Sequence, residues 1–127
     1  MVPEDVFELT GAADPRIHPD GRLAAYVAWS TDRESGEYRS AIWLATLDGS
    51  EPPRQLTSGE ARDAAPRWSP DGSRLAFTSS RGAGEGAKPA QLYVLPVQGG
   101  EARRLTDLAE DVTQPAWSSD GERIAFS

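Results

Sequence analysis

The sequence predicts an all-β fold built from repeated four-stranded antiparallel sheets, and three observations predict it. A turn of the Ser-Pro-Asp-Gly type recurs three times at a spacing of about fifty residues, each time led in by a proline and a large apolar residue. Each turn is followed by a short run in which apolar residues alternate with smaller or polar ones, the period of a half-buried strand. Most of the chain's 12 Gly and 10 Pro fall between those runs, where they close turns instead of interrupting strands.

The lead-in comes first. Pro3 suits the first turn of a helix, Glu4 and Asp5 complement the positive end of its dipole, and Val6, Phe7 and Leu9 supply apolar contacts, so a short helix is expected over residues 3–10. It is too short to stand alone and is expected to dock on neighbouring strands.

The first repeat runs Pro15-Arg16-Ile17-His18-Pro19-Asp20-Gly21 into a strand around Tyr26. Its alternation is weaker than that of the second copy, because Ala24 stands where Leu75 stands later. Residues 30–40 form a polar loop, residues 42–47 a third strand ending at the Asp48-Gly49 turn, and residues 54–57 a short outer edge strand. The second repeat follows the same order: Pro66-Arg67-Trp68-Ser69-Pro70-Asp71-Gly72, a strand carrying Leu75 and Phe77, a strand over residues 92–97, a Gly99-Gly100 turn, and an edge strand at residues 104–106. Pro96 is tolerable in its strand where the missing N–H faces an edge or a bulge. The third copy, Pro115-Ala116-Trp117-Ser118-Ser119-Asp120-Gly121, leads into Ile124, Ala125 and Phe126. In the turns, Ser opens a type I turn, Pro fixes φ at its second position, Asp sits third, and Gly fourth accepts a positive φ.

Four short strands per repeat of about fifty residues is the unit of a β-propeller blade. The expected organisation is residues 1–14 as helix and lead-in, blades at residues 15–57 and 65–106, and the first two strands of a third at residues 114–127. Propellers close with about four to eight blades. The chain is therefore expected to be an incomplete, open β-propeller of about two and a half blades and the N-terminal portion of something longer. Its end blades expose faces meant for neighbours, so in isolation it is expected to be marginally folded or self-associating.

Composition excludes several function classes. The net charge of −7 and pI near 4.6 leave no basic stripe for nucleic acid. Without cysteine there is no disulfide framework and no thiolate metal site. No stretch approaches the eighteen or so apolar residues of a membrane span, and the acidic N-terminus lacks a secretory signal, so no membrane partner and a cytoplasmic location are expected.

The residues that resemble chemistry have plainer roles. His18, the one histidine, occupies the position of Ser69 and Ser118 and is expected to serve its turn. Gly82, Gly84 and Gly86 match neither nucleotide-binding fingerprint, and Pro89 follows where a helix should start, so a loop between strands is expected. Asp107, Glu110 and Asp111 are acidic but lack the ligand spacing and central glycine of a calcium loop. Asp20, Asp71 and Asp120 belong to turns, and no Gly-x-Ser-x-Gly nucleophile elbow occurs. Trp68 with Trp117, and Trp43 with Tyr93, recur at equivalent positions, as packing between blades requires. No catalytic, cofactor-binding or metal-binding residue is expected in this chain, and no cofactor.

Four segments carry a family resemblance: residues 14–21 after the lead-in, residues 38–44 with Ile42-Trp43-Leu44, residues 54–59, and Pro66-Arg67-Trp68-Ser69-Pro70-Asp71-Gly72. Their order and spacing resemble the N-terminal propeller of prolyl oligopeptidase-family serine peptidases, above all the acylaminoacyl-peptidase-like branch. The Trp-Ser-Pro-Asp-Gly repeat is shared with TolB-type propellers. The resemblance implies a propeller that restricts short peptides at the mouth of a C-terminal α/β-hydrolase domain, absent from this chain, whose Ser-Asp-His triad cleaves by acyl transfer. The partners it implies are that domain and a peptide substrate. Two alternatives stay open: a TolB-like propeller that binds proteins without catalysis, and some other propeller-bearing or stand-alone binding protein.

Overall fold

In a computed structural model, residues 7–32, 38–57, 62–80, 89–106, 108 and 111–127 are described, and every regular element among them is a strand. Among the described residues no helix is long and apolar enough to cross a membrane. The first sheet takes β1 (Phe7–Ile17), β2 (Leu23–Asp32), β3 (Tyr38–Thr46) and β4 (Arg54–Gln55) in chain order, every pair antiparallel. The second repeats it with β5 (Asp63–Trp68), β6 (Arg74–Ser79), β7 (Gln91–Pro96) and β8 (Arg103–Arg104). A third sheet contains β9 (Ala116–Trp117) and β10 (Ile124–Ala125).

The turns follow the sequence expectation. The N–H groups of Gly21, Gly72 and Gly121 donate to the carbonyls of His18, Ser69 and Ser118 at 2.8, 2.9 and 3.0 Å. Each glycine has φ between +74° and +80°, so an L-residue there would be strained.

Two expectations are corrected. The helix over residues 3–10 is not supported: residues 1–6 lie outside the described residues, and residues 7–10 are main chain of β1. Strand pairing wins because β2 offers a continuous partner, from Phe7 opposite Asp32 to Ile17 opposite Ala24, whereas one amphipathic turn has little to bury. Gly11 permits the pairing, since a Cβ there would lie 2.6 Å from the Trp29 ring. The polar loop is also shorter than residues 30–40, because Ser30 pairs with Arg39 and Thr31 with Tyr38; residues 33–37 lie outside the described residues.

The Leu-Thr recurrence at the outer edge has a hydrogen-bonding cause. Leu56 N–H donates to the Ile42 carbonyl at 2.8 Å, and the Thr57 hydroxyl accepts the Ile42 N–H at 2.9 Å. Leu105, Thr106 and Leu92 repeat this at 2.7 and 2.9 Å. Threonine thus supplies the acceptor that a longer fourth strand would have provided, which lets the edge strand stay two residues long.

The sheets stack face to face through two apolar layers. Between the first and second lie Ala25, Ile42 and Leu44 from one side and Leu75, Phe77, Tyr93 and Leu95 from the other, with Leu56 and Trp68 packed against them. Phe77 and Tyr93 are opposite each other in register, their rings stacked with centroids 5.8 Å apart. Between the second and third lie Ala76, Leu92 and Val112, flanked by Val94, Trp117 and Ile124. Period-two alternation therefore assigns the two faces of β6 and β7 to two different neighbours.

Candidate functional site

The first strands of successive sheets, β1, β5 and β9, lie side by side, so their repeated ends converge. Each end begins with a left-handed residue before proline: Asp14, Ala65 and Gln114 have φ of 54°, 55° and 51°. Such a φ is uncommon outside glycine, and here it accompanies a register shift between Ala13 and Arg16 and again between Ala64 and Arg67. The bulge re-aims the strand end. Pro15, Ile17, Trp68, Pro70, Pro115 and Trp117 then line one open cleft of about 720 Å³ that spans the three sheets.

Polar contacts hold the cleft together, and they repeat. Trp68 Nε1–H donates to the Arg16 carbonyl at 2.8 Å, and Trp117 Nε1–H to the Arg67 carbonyl at 2.9 Å. His18 Nε2–H donates to the Gly72 carbonyl at 3.1 Å while its ring meets Trp68 edge-on, centroids 4.6 Å apart. In the next interface Arg74 takes that part: Nη2 donates to the Gly121 carbonyl at 2.9 Å, and the guanidinium lies 4.8 Å over the Trp117 ring. The first interface also holds an ion pair. Asp14 accepts from Arg67 Nη1 and from Arg16 Nε, both at 3.0 Å. Partial burial of Asp14 opposes ionisation, but the hydrogen bonds from Arg67 and Arg16 outweigh it and hold the carboxyl below its ordinary value.

The turn aspartates are held ionised in the same way. Asp71 accepts from the Ser73 N–H, the Ser73 hydroxyl and the Ser69 hydroxyl at 3.0, 2.7 and 2.8 Å. Those bonds, the Ser73 N–H first, lower its pKa from 3.8 to about 2. Asp120 is lowered by the Ser118 hydroxyl and then the Glu122 N–H, and Asp20 mainly by the Arg22 N–H.

This hydrogen bonding defines what the site can do chemically. The Ser69 hydroxyl donates to Asp71 and accepts the Arg74 N–H at 3.0 Å; Ser118 does the same with Asp120 and the Arg123 N–H. His18 Nδ1 accepts the Asp20 N–H at 3.0 Å while Nε2 holds Gly72. Through these bonds the serines hold their own turns, and the histidine holds its turn and the neighbouring blade. Among the described residues no three His, Cys, Asp or Glu side chains gather as a metal site.

Of the residues weighed in the sequence, Asp111 accepts the Ala90 N–H at 2.7 Å. Asp107, Glu110 and the Gly82, Gly84 and Gly86 loop lie outside the described residues. Tyr93 enters the first apolar layer, and Trp68 and Trp117 link sheets as expected. His18 does more than serve its own turn, since it reaches the next sheet. The roles of Arg74 and Asp14 escaped the sequence reading. A signal for Arg74 existed within the repeats: the copy with His18 has Leu23 two residues after its turn glycine, whereas the copies with Ser69 and Ser118 have Arg74 and Arg123.

Comparison with known proteins agrees with this architecture. The PD40 family, described as the TolB beta propeller domain, matches residues 5–127. The chain is 46% identical over 112 residues to the protein named "Uncharacterized peptidase YuxL" of Bacillus subtilis (strain 168), a match covering 87% of this chain and 16% of that protein. Among solved structures, the acylaminoacyl peptidase of Pyrococcus horikoshii superposes on 94% of the chain with a TM-score of 0.65 and 27% identity, the match covering 17% of that enzyme. The β-propeller domain of the Trilobed protease from Pyrococcus furiosus, at 22% identity and a TM-score of 0.68 over 94% of the chain, shares the fold. The chain thus spans about a sixth of the length of the peptidases it resembles.

Proposed function

Because the chain belongs to the TolB β-propeller (PD40) family, we propose that it is the propeller portion of a larger serine peptidase that hydrolyses short peptides or acyl-peptides. The observation that carries this reading is the 46% identity to a protein named a peptidase, over 87% of this chain but only 16% of that protein. The 27% identity to an acylaminoacyl peptidase along 94% of the chain supports it. The chain's own side chains stabilise blades, so catalysis falls to a separate α/β-hydrolase domain, and the propeller controls which substrates reach it.

Gating is tested with the full-length gene product by comparing kcat/KM for a ladder of peptides of increasing length before and after deletion of the propeller. A gate predicts a steep fall with length that the deletion flattens. An unchanged length profile counts against gating while leaving the peptidase assignment in place. The second reading, a TolB-like interaction module without catalysis, is favoured by the family match itself. It predicts more repeats and no Gly-x-Ser-x-Gly in the coding sequence beyond Ser127.

A further inference from the structure

Four Asp-Gly pairs occur in the chain, at Asp20-Gly21, Asp48-Gly49, Asp71-Gly72 and Asp120-Gly121, and the fold does not hold them equally. In such a pair the glycine nitrogen can attack the preceding side chain, since no Cβ on the glycine obstructs the approach. Attack needs an N–H that can leave its hydrogen bond and a peptide plane free to turn. In the turns before β2, β6 and β10 the glycine N–H groups are held at 2.8, 2.9 and 3.0 Å. Gly72 and Gly121 are also buried, and their carbonyls accept from His18 and Arg74. Gly21 is exposed, but the Asp20 carboxylate is fixed by the Arg22 N–H at 2.9 Å and lies 2.9 Å from His18 Nδ1, whose ring is tied to the second blade.

The turn at Asp48 is looser. Gly49 N–H reaches the Thr46 carbonyl at 3.3 Å, beyond the range of about 2.7–3.2 Å of an ordinary bond. The length belongs to the turn itself: in its copy in the second blade, Gly99 N–H meets the Pro96 carbonyl at 3.4 Å. There Gln98 stands in place of Asp48, so only the first blade puts an aspartate before this glycine. Residues 47–51 are all exposed, and the Asp48 carboxylate is held within its own turn, by the Ser50 N–H at 2.9 Å. A Cβ on Gly49 would meet nothing within 4 Å, which leaves room for the peptide to turn.

We propose that Asp48 is a site of spontaneous modification, where the Asp48-Gly49 link converts to isoaspartate. The Gly49 nitrogen bonds to the side-chain carboxyl carbon of Asp48. Its proton and the carboxyl hydroxyl leave as water, and a five-membered succinimide forms. Water then opens the ring at the main-chain carbonyl of Asp48, so that the chain continues through the former side chain. The product carries one extra methylene in the turn that brings β4 back onto β3, where Gln55 lies opposite Trp43. The outer edge of the first blade therefore loosens as the protein ages. This inference rests on turn geometry and stands apart from the peptidase reading.

The test incubates the full-length gene product, folded and near neutral pH, in water enriched in oxygen-18, and then digests it in ordinary water. Each succinimide that opens leaves heavy oxygen at its aspartate, which mass spectrometry maps. Label at Asp48 should exceed that at each of Asp20, Asp71 and Asp120 at least about threefold, a rate factor within the reach of one ordinary hydrogen bond. In guanidinium chloride the four sites should label alike, because the dipeptide is the same. Asp48→Glu, an exposed change whose folding circular dichroism checks, should remove most of the native label within residues 1–127, since glutamate would have to close a six-membered ring. Equal native labelling at the four pairs, no native label, or faster labelling at another pair would overturn the proposal. So would an excess at Asp48 that persists unchanged in guanidinium chloride, because the fold would then not be its cause.

Discussion

The indole of Trp117 donates to the main-chain carbonyl of Arg67 at 2.9 Å, and one repeat earlier Trp68 donates to that of Arg16 at 2.8 Å. The bond ties the repeating tryptophan of one blade to the backbone of the blade before it. It registers neighbouring blades along the stacking direction, which apolar layers alone do not do. Trp117→Phe keeps the ring and removes the donor, and it should cost about 0.5–1.5 kcal/mol. Trp117→Ala also loses the ring and should cost about 3 kcal/mol or more. Urea denaturation of the purified variants measures both; equal losses would mean that the indole N–H contributes nothing.

Gly21 and Gly72 hold the same place in two turns, with φ of +80° and +75°. A Cβ on Gly21 would meet nothing within 4 Å, while one on Gly72 would run into the His18 ring. Gly21→Ala should therefore cost only the left-handed strain of about 1–2 kcal/mol. Gly72→Ala should cost about 1–3 kcal/mol more through overpacking, and His18→Ala in the same chain should recover part of that excess. Identical losses for the two single variants would contradict the contact between blades.

The turn carboxylates set an acid limit. The folded pKa of Asp71 is depressed from 3.8 to about 2. Its contribution is therefore fully present above the unfolded value and is lost as pH falls through that window. Asp20, Asp120 and Asp14 shift in the same direction. Stability should fall between about pH 4 and pH 2, and Asp71→Asn should make that fall shallower. A midpoint in denaturant that is equally acid-sensitive with and without Asp71 would count against the turn network.

Burial separates two aromatic residues at equivalent registers. Phe77 is fully buried between blades and stacked on Tyr93, while Tyr26 is half-buried on the outer face of the first blade. Phe77→Ala should cost about 3–5 kcal/mol, enough to unfold a marginal arc, and Tyr26→Ala clearly less. Circular dichroism across a denaturant series distinguishes them; the reverse order would mean that the alternation has been assigned to the wrong faces.

Much of this was legible because turn chemistry and period-two alternation are local. His18 through Gly21, Ser69 through Gly72 and Ser118 through Gly121 close as their residue types require. The helix expected over residues 3–10 had local propensity on its side, but residues 7–10, the part of it that is described, pair with β2 instead; the strand around Tyr26 was legible, while its pairing as far back as Phe7, ahead of the repeat, was not. The links between blades were hidden for a different reason. A backbone carbonyl has no residue-type signature, so the acceptors at Arg16, Arg67, Gly72 and Gly121 leave no mark, and only their donors Trp68, Trp117, His18 and Arg74 are visible. Two of the four recur at one repeat position; the other two occupy different positions in different copies.

Catalysis by a domain outside these residues, as proposed, is tested most directly by covalent labelling. A fluorophosphonate probe should modify one serine in the full-length gene product, mapped by mass spectrometry beyond Ser127, and leave the isolated 127-residue chain unlabelled. A labelled serine within residues 1–127, or a full-length product that does not react at all, would contradict it.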